Sequence, residues 1–279
     1  MLYLLLAIIC SALVSVLMRL STEKARGNVS MLAVNYLMCL VLAAVYTGGL
    51  GAAKGASGLT GAVGMGVVNG VLYLLGFVLL QLNVQKNGVV LSATFMKLGL
   101  LVPMVVSVCF FREIPALWQI VGFCLAVAAI LLVNGGEKRS EGRRMKAGLL
   151  LLLLVNGGAD TMSKIFEELG AARFAEHFLL VTFATALLLC IGLTIWKRER
   201  PGKWELLFGL MIGIPNYFSA RFLLRALERV AAVIVYPTYS VATILVVAVA
   251  GLCLFQERLN KRRWAAVAVI LAALILLNI

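Results

Sequence analysis

The chain has 279 residues, 63% of them hydrophobic, a mean hydropathy of +1.04 and a formal net charge of +13. Soluble domains are nearer half apolar, so this composition leaves little chain for a soluble domain. The basic residues stand in short blocks between apolar segments, which fits an anionic membrane surface and excludes a nucleic-acid partner.

A span needs about 20 apolar residues. Ten segments meet that need, near 2–20, 31–49, 59–82, 88–111, 115–134, 146–166, 174–196, 204–227, 230–255 and 262–279. Span 1 lacks a basic leader and a small-residue cleavage site, so it is expected to be retained. Breaks fall at Thr22–Asn28, Gly48–Gly58, Gln85–Gly88 and Arg112–Pro115. The most polar stretch lies mid-chain, which divides the sequence into a first repeat (1–134), a basic linker (135–145) and a second repeat (146–279). Cys10, Cys39, Cys109, Cys124, Cys190 and Cys253 all lie in apolar segments without a CxxC. They read as small buried hydrophobes, with no disulfide framework and no metal site.

A shift of 144 lays 81–134 on 225–278 without a gap and pairs Tyr73/Tyr217, Thr94/Thr238, Cys109/Cys253, Phe111/Phe255, Glu113/Glu257 and Asn134/Asn278. Ser11, Ser15 and Arg19 match Asn156, Asp160 and Lys164 at a shift of 145. Each trio has i, i+4, i+8 spacing and forms one helix stripe. Five spans per repeat is an odd number, so the second copy starts on the opposite side of the membrane. That makes an inverted repeat, which can serve alternating access.

Seventeen of the Lys and Arg residues flank odd-numbered connections and six flank even ones. This bias expects odd connections in the cytoplasm and both termini outside a plasma or inner membrane.

The sequence Phe111-Arg112-Glu113-Ile114-Pro115 with Gln119 and Gly122, and its second copy Phe255-Gln256-Glu257-Arg258-Leu259, resembles the drug/metabolite transporter superfamily, EamA-like branch. The resemblance covers essentially the whole chain. It implies an all-α membrane protein of ten helices in two inverted repeats around a central cavity. It also implies a secondary transporter without cofactor, which moves amino acids, sugars, phosphorylated metabolites or drugs by export or exchange.

Ionised side chains in a span cost about 2.5–3.5 kcal/mol and usually face a partner or a cavity. Lys97 in span 4 is read as a carboxylate or anion contact; the alternatives are pairing with an acid such as Asp160, or snorkelling. Tyr217, Arg221 and Arg225 form a stripe in span 8 behind Pro215-Asn216, where a proline can open the helix. It reads as a substrate-facing cationic wall; alternatively Arg225 pairs with Glu228 or Glu168. In the Asn156, Asp160, Lys164 stripe, Asp160 is the candidate proton-coupling site, because a carboxyl removed from water favours its neutral form. A static Asp160–Lys164 pair at i, i+4 is the alternative.

Tyr73, Asn69 one turn before it, and Tyr239 beside Pro237 complete the candidate substrate contacts, with packing as the alternative for the tyrosines. Asn35 and Tyr36 add weaker polar candidates in span 2. Gly66-xxx-Gly70 and Gly209-xxx-Gly213 allow close helix approach, within the chain rather than in a homodimer. Glu113 and Glu257 are expected to cap helix N-termini, and His177 to be a satisfied interfacial residue. Arg19, Lys97, Lys164, Arg221 and Arg225 outnumber Asp160 and Glu228, so the expected substrate is anionic or zwitterionic. A multidrug or cation exporter is the runner-up. No HExxH, GxSxG or P-loop occurs, so no enzyme is expected.

Overall fold

A computed structural model describes residues 1–21, 24–25, 27–47, 58–87, 89–134, 146–255 and 261–277. Eleven α-helices lie among them: α1 (Leu2–Ser21), α2 (Asn28–Thr47), α3 (Leu59–Asn87), α4 (Val89–Leu98), α5 (Leu101–Phe110), α6 (Leu117–Asn134), α7 (Lys146–Leu169), α8 (Ala175–Trp196), α9 (Lys203–Leu227), α10 (Ala232–Phe255) and α11 (Lys261–Leu277). No strand occurs among the described residues. The linker 135–145, Glu257 and Asn278 lie outside the described residues.

Seven of these helices are long and apolar enough to cross a membrane, and Phe95–Phe110, Leu117–Leu132 and Val267–Leu277 are shorter apolar runs. Their outer faces are apolar too. On α1, Leu4, Ala7, Ile8 and Ala12 are buried while Leu5, Ile9 and Leu13 are exposed, as one helix face at 3.6 residues per turn requires. Exposed leucines and isoleucines on both sides of a polar loop need hydrocarbon around them, so this is a multi-pass membrane protein.

Span 4 is not one helix. It breaks at Gly99-Leu100 because Pro103 has no N–H for the Gly99 carbonyl and its ring crowds that carbonyl. The Gly99 carbonyl accepts from Val102 N–H at 2.9 Å instead, and Gly99 N–H donates to Met96 O at 3.2 Å. At Pro215 and Pro237, by contrast, α9 and α10 run on unbroken.

The chain divides into two compact units, Met1–Leu74 with Ile165–Glu228, and Leu75–Lys164 with Arg229–Ile279. Each takes helices from both halves of the chain. In unit 1, α1 and α2 pack on α9, and α2 packs on α8. A Cβ on Gly209 would lie 2.6 Å from Val34 Cβ and one on Gly213 2.5 Å from Met38 Cβ, both on α2. Likewise Gly66 and Gly70 of α3 touch the Phe178 and Thr182 carbonyls of α8. Both glycine pairs therefore face helices of the same chain, where backbones approach too closely for any side chain.

In unit 2, α6 packs on α11, and α10 on α5, α6 and α11. Small residues Ala126, Ala129 and Ala273 meet Val241 and Ile270 there. The second half of α3 meets α7: Asn83 Nδ2 donates to Gly148 O at 3.0 Å, and Asn156 lies 3.3 Å from the Cβ position of Gly76.

All six cysteines are free, but only Cys39 and Cys190 are buried. Cys39 Sγ donates to Gly213 O at 3.3 Å and Cys190 Sγ to Val29 O at 3.5 Å. Cys109, Cys124 and Cys253 are exposed on apolar helices, which corrects the expectation that all are core residues.

Candidate functional site

Polar side chains gather in two clusters, one in each unit. In unit 2 the backbone of α7 at Gly157 lies against the α4–α5 break at Gly99, with Gly157 N 3.0 Å from the Gly99 Cβ position. Asp160 follows Gly157 by one turn and Lys97 precedes Gly99 by two residues, so the crossing brings these two charges together. They interact electrostatically, and both are half-buried. Among the described residues neither side chain forms a hydrogen bond or a close ion pair. Tyr236 Oη holds the site from α10 by donating to the Asp160 carbonyl at 2.6 Å. Asn156 is half-buried and donates to Leu152 O at 3.0 Å. Tyr239 is half-buried on α10.

Lys164 is not the partner of Asp160. Its Nζ lies 2.8 Å from Glu113 Oε1 and 5.7 Å from the Phe111 ring centroid, and the side chain is 2% exposed. Glu113 Oε2 also accepts from Val233 N–H at 3.2 Å, so this carboxylate caps α10 rather than α6. The turn that aims it has Arg112 at φ 55, in the left-handed region, and Glu113 N–H bonded back to Ser107 O at 3.1 Å.

In unit 1 the α9 stripe meets a residue that the sequence reading passed over, Glu176 in the first turn of α8. Its Oε1 accepts from Arg221 Nε at 2.6 Å and lies 3.8 Å from Arg225 Nη2, while Oε2 accepts from Tyr217 Oη at 2.8 Å. Arg225 thus turns to Glu176 rather than to Glu228 or Glu168. The Arg221 guanidinium sits 3.9 Å over the Tyr46 ring, which stacks on Tyr217 with centroids 5.8 Å apart. Guanidinium over a ring face adds attraction to the ion pair. Tyr217 is fully buried, so packing and the Glu176 bond occupy it. Tyr73 lies among Tyr36 and Phe183 rings at 6.5 and 6.2 Å.

Asn69 is 1% exposed, and its Oδ1 has no hydrogen-bond partner among the described residues. Asn35 accepts from Asn216 Nδ2 at 3.2 Å. His177, expected to be satisfied, has neither ring nitrogen hydrogen-bonded among the described residues and stands edge-on to Phe174 at 5.4 Å.

The count of deep cations changes accordingly. Arg221 and Arg225 face Glu176, and Lys164 faces Glu113, two carboxylates that the sequence count left out. The signal for Glu176 was an acid in the first turn of an apolar helix, which reads by itself as a helix-dipole residue. A Glu176→Gln protein is expected to lose about 1–3 kcal/mol of stability, because Arg221 keeps a neutral acceptor in place of its charge partner. Thermal unfolding in detergent measures this; an unchanged midpoint contradicts the pairing.

Among known proteins, the EamA-like transporter family matches residues 147–279. An uncharacterized protein of Haemophilus influenzae (strain ATCC 51907 / DSM 11121 / KW20 / Rd) is 22% identical over 280 residues, covering 97% of this chain and 95% of the relative. A solved crystal structure shares the fold with a TM-score of 0.73 at 14% identity, covering 99% of this chain and 94% of its own.

Proposed function

From a second half of the EamA-like transporter type, we propose that the chain is a secondary active transporter of a small zwitterionic metabolite, such as an amino acid, working by alternating access. The carrying observation is the Lys97–Asp160 arrangement: opposite charges on a broken helix and on the helix crossing it, both lacking a close partner among the described residues. A zwitterion offers a carboxylate to Lys97 and an ammonium to Asp160, and balanced charge fits that cargo better than a plain anion. Asn156 and Tyr239, in the same unit, complete the proposed contacts of this cluster. In unit 1, Asn69 Oδ1, buried and without a hydrogen-bond partner among the described residues, and Tyr73 are candidate substrate contacts of their own. Arg221 and Tyr217 act through Glu176.

The helix pairing supports two inverted five-span repeats. Spans 2 and 7 (α2, α8), 4 and 9 (α5, α10) and 5 and 10 (α6, α11) each join a span to its own mate. Spans 8 and 2 pack through Gly209 and Gly213, and their mates 3 and 7 pack through Gly66 and Gly70. Spans 1 and 8 touch at Ser219 Oγ and Ala7 O, 3.3 Å apart, and their mates 6 and 3 touch through Asn83. Exchange of the two repeats preserves all of these pairs, as alternating access between copies in opposite orientation requires. We assign termini to the outside, export or exchange as direction, and the proton to Asp160.

Flux in proteoliposomes tests the reading. Amino acids, organic acids, sugar phosphates and lipophilic cations are compared with and without a proton gradient. Lys97→Ala is expected to cut zwitterion flux at least about tenfold, the loss of roughly 1.4 kcal/mol of binding. Asp160→Asn is expected to abolish the response to a proton gradient and to leave exchange at a lowered substrate affinity, because an amide cannot pair its charge with an ammonium. A preference for lipophilic cations, or unchanged flux in both variants, overturns the proposal.

A further inference from the structure

The end of unit 1 that carries the α1–α2 and α8–α9 connections, at the other end of α8 from Glu176, has an open cavity of about 600 Å³. Lys24, Gly27, Glu199, Arg200, Gly202, Lys203, Trp204 and Glu205 line it. Its two carboxylates are already committed. Arg198, at φ 54, turns the chain so that Glu199 N–H bonds to Thr194 O at 3.1 Å, and Glu199 Oε2 then accepts from Val29 and Ser30 N–H at 3.2 and 3.0 Å. Glu205 is 7% exposed and accepts from Gly27 and Gly202 N–H, both at 3.1 Å. Each acid thus neutralises helix N-terminal amides, of α2 and α9 in turn.

The three cations have no carboxylate partner among the described residues. Lys24, Arg200 and Lys203 are all exposed, and Lys24 Nζ stands 4.7 Å over the Trp204 ring. Trp196 and Trp204 bracket the connection at 80% and 45% exposure, with Ile195, Leu206 and Leu207 exposed beside them. Exposed tryptophans next to apolar helix faces mark the boundary between hydrocarbon and headgroups. A phosphate bound here therefore has room for attached acyl chains along α8 and α9, which a free anion does not use. The basic bias of the odd connections places this end at the cytoplasmic leaflet, where anionic lipids concentrate. We propose that this cavity binds the phosphate headgroup of an anionic phospholipid.

The test uses the full chain in nanodiscs of phosphatidylcholine, with or without phosphatidylglycerol, and counts retained lipids by native mass spectrometry alongside thermal unfolding. Phosphatidylglycerol is expected to stay bound and to raise the unfolding midpoint. Affinity is expected to fall roughly fivefold for each cation removed among Lys24→Ala, Arg200→Ala and Lys203→Ala. The charge-conserving triple variant Lys24→Arg, Arg200→Lys, Lys203→Arg is expected to keep the effect, and its loss there overturns the site. Wild-type lipid retention in the triple alanine variant also overturns it. Inorganic phosphate raising the midpoint as far in pure phosphatidylcholine discs overturns the lipid assignment.

Discussion

A Lys164→Met protein is expected to lose about 3–5 kcal/mol of stability, among the largest effects of any single exchange in this chain. Methionine fills the volume, so packing is nearly conserved. What remains is Glu113, 14% exposed, with its cationic partner gone from 2.8 Å and, among the described residues, the Val233 amide to answer its charge. Removing one member of a buried pair strands the other, whereas removing both does not. The double variant Lys164→Met/Glu113→Gln is therefore expected to recover most of the loss, since glutamine still accepts from Val233. Unfolding midpoints of both variants measure this. A double variant as unstable as the single one shows that Lys164 acts elsewhere.

Gly157→Leu is expected to prevent assembly of unit 2, with a cost of at least about 3 kcal/mol. A Cβ at this position would strike the Gly99 carbonyl oxygen and come within 2.5 and 2.6 Å of Val102 side-chain carbons. Backbone cannot swing away as the end of a side chain can. Even Gly157→Ala should lower the unfolding midpoint by several degrees. Gly192→Ala on α8 is the control: nothing lies within 4 Å of its Cβ position, and alanine favours the helix by about 0.5–1 kcal/mol. Equal midpoints for Gly157→Ala and Gly192→Ala contradict the crossing. Because the same crossing sets Lys97 beside Asp160, Gly157→Ala is also expected to reduce flux.

Helix ends and the apolar spans were legible because they are local or periodic. Span 1 was expected at 2–20 and α1 is Leu2–Ser21; span 6 was expected at 146–166 and α7 is Lys146–Leu169. Composition alone decides that such segments need hydrocarbon, and helices there satisfy their backbone without distant help. The break in span 4 was half-legible. Pro103 was visible, but Pro215 and Pro237 looked equivalent, and only the surroundings decide which proline interrupts its helix.

The partners were not legible. The sequence set Asp160 and Lys164 four residues apart, the spacing of a helical pair, yet Lys164 turns to a glutamate 51 positions upstream. Arg221 turns to Glu176 rather than to an acid on its own helix. A charge taken out of water is held by whichever opposite charge lies near it in space, and spatial nearness between helices is set by side-chain and glycine packing along their whole length. Sequence by itself therefore determined the membrane solvent, the helices and the positions of the deep charges. Tertiary structure decided which charges pair closely and which do not, because Coulomb energy depends on distance through the fold and not along the chain.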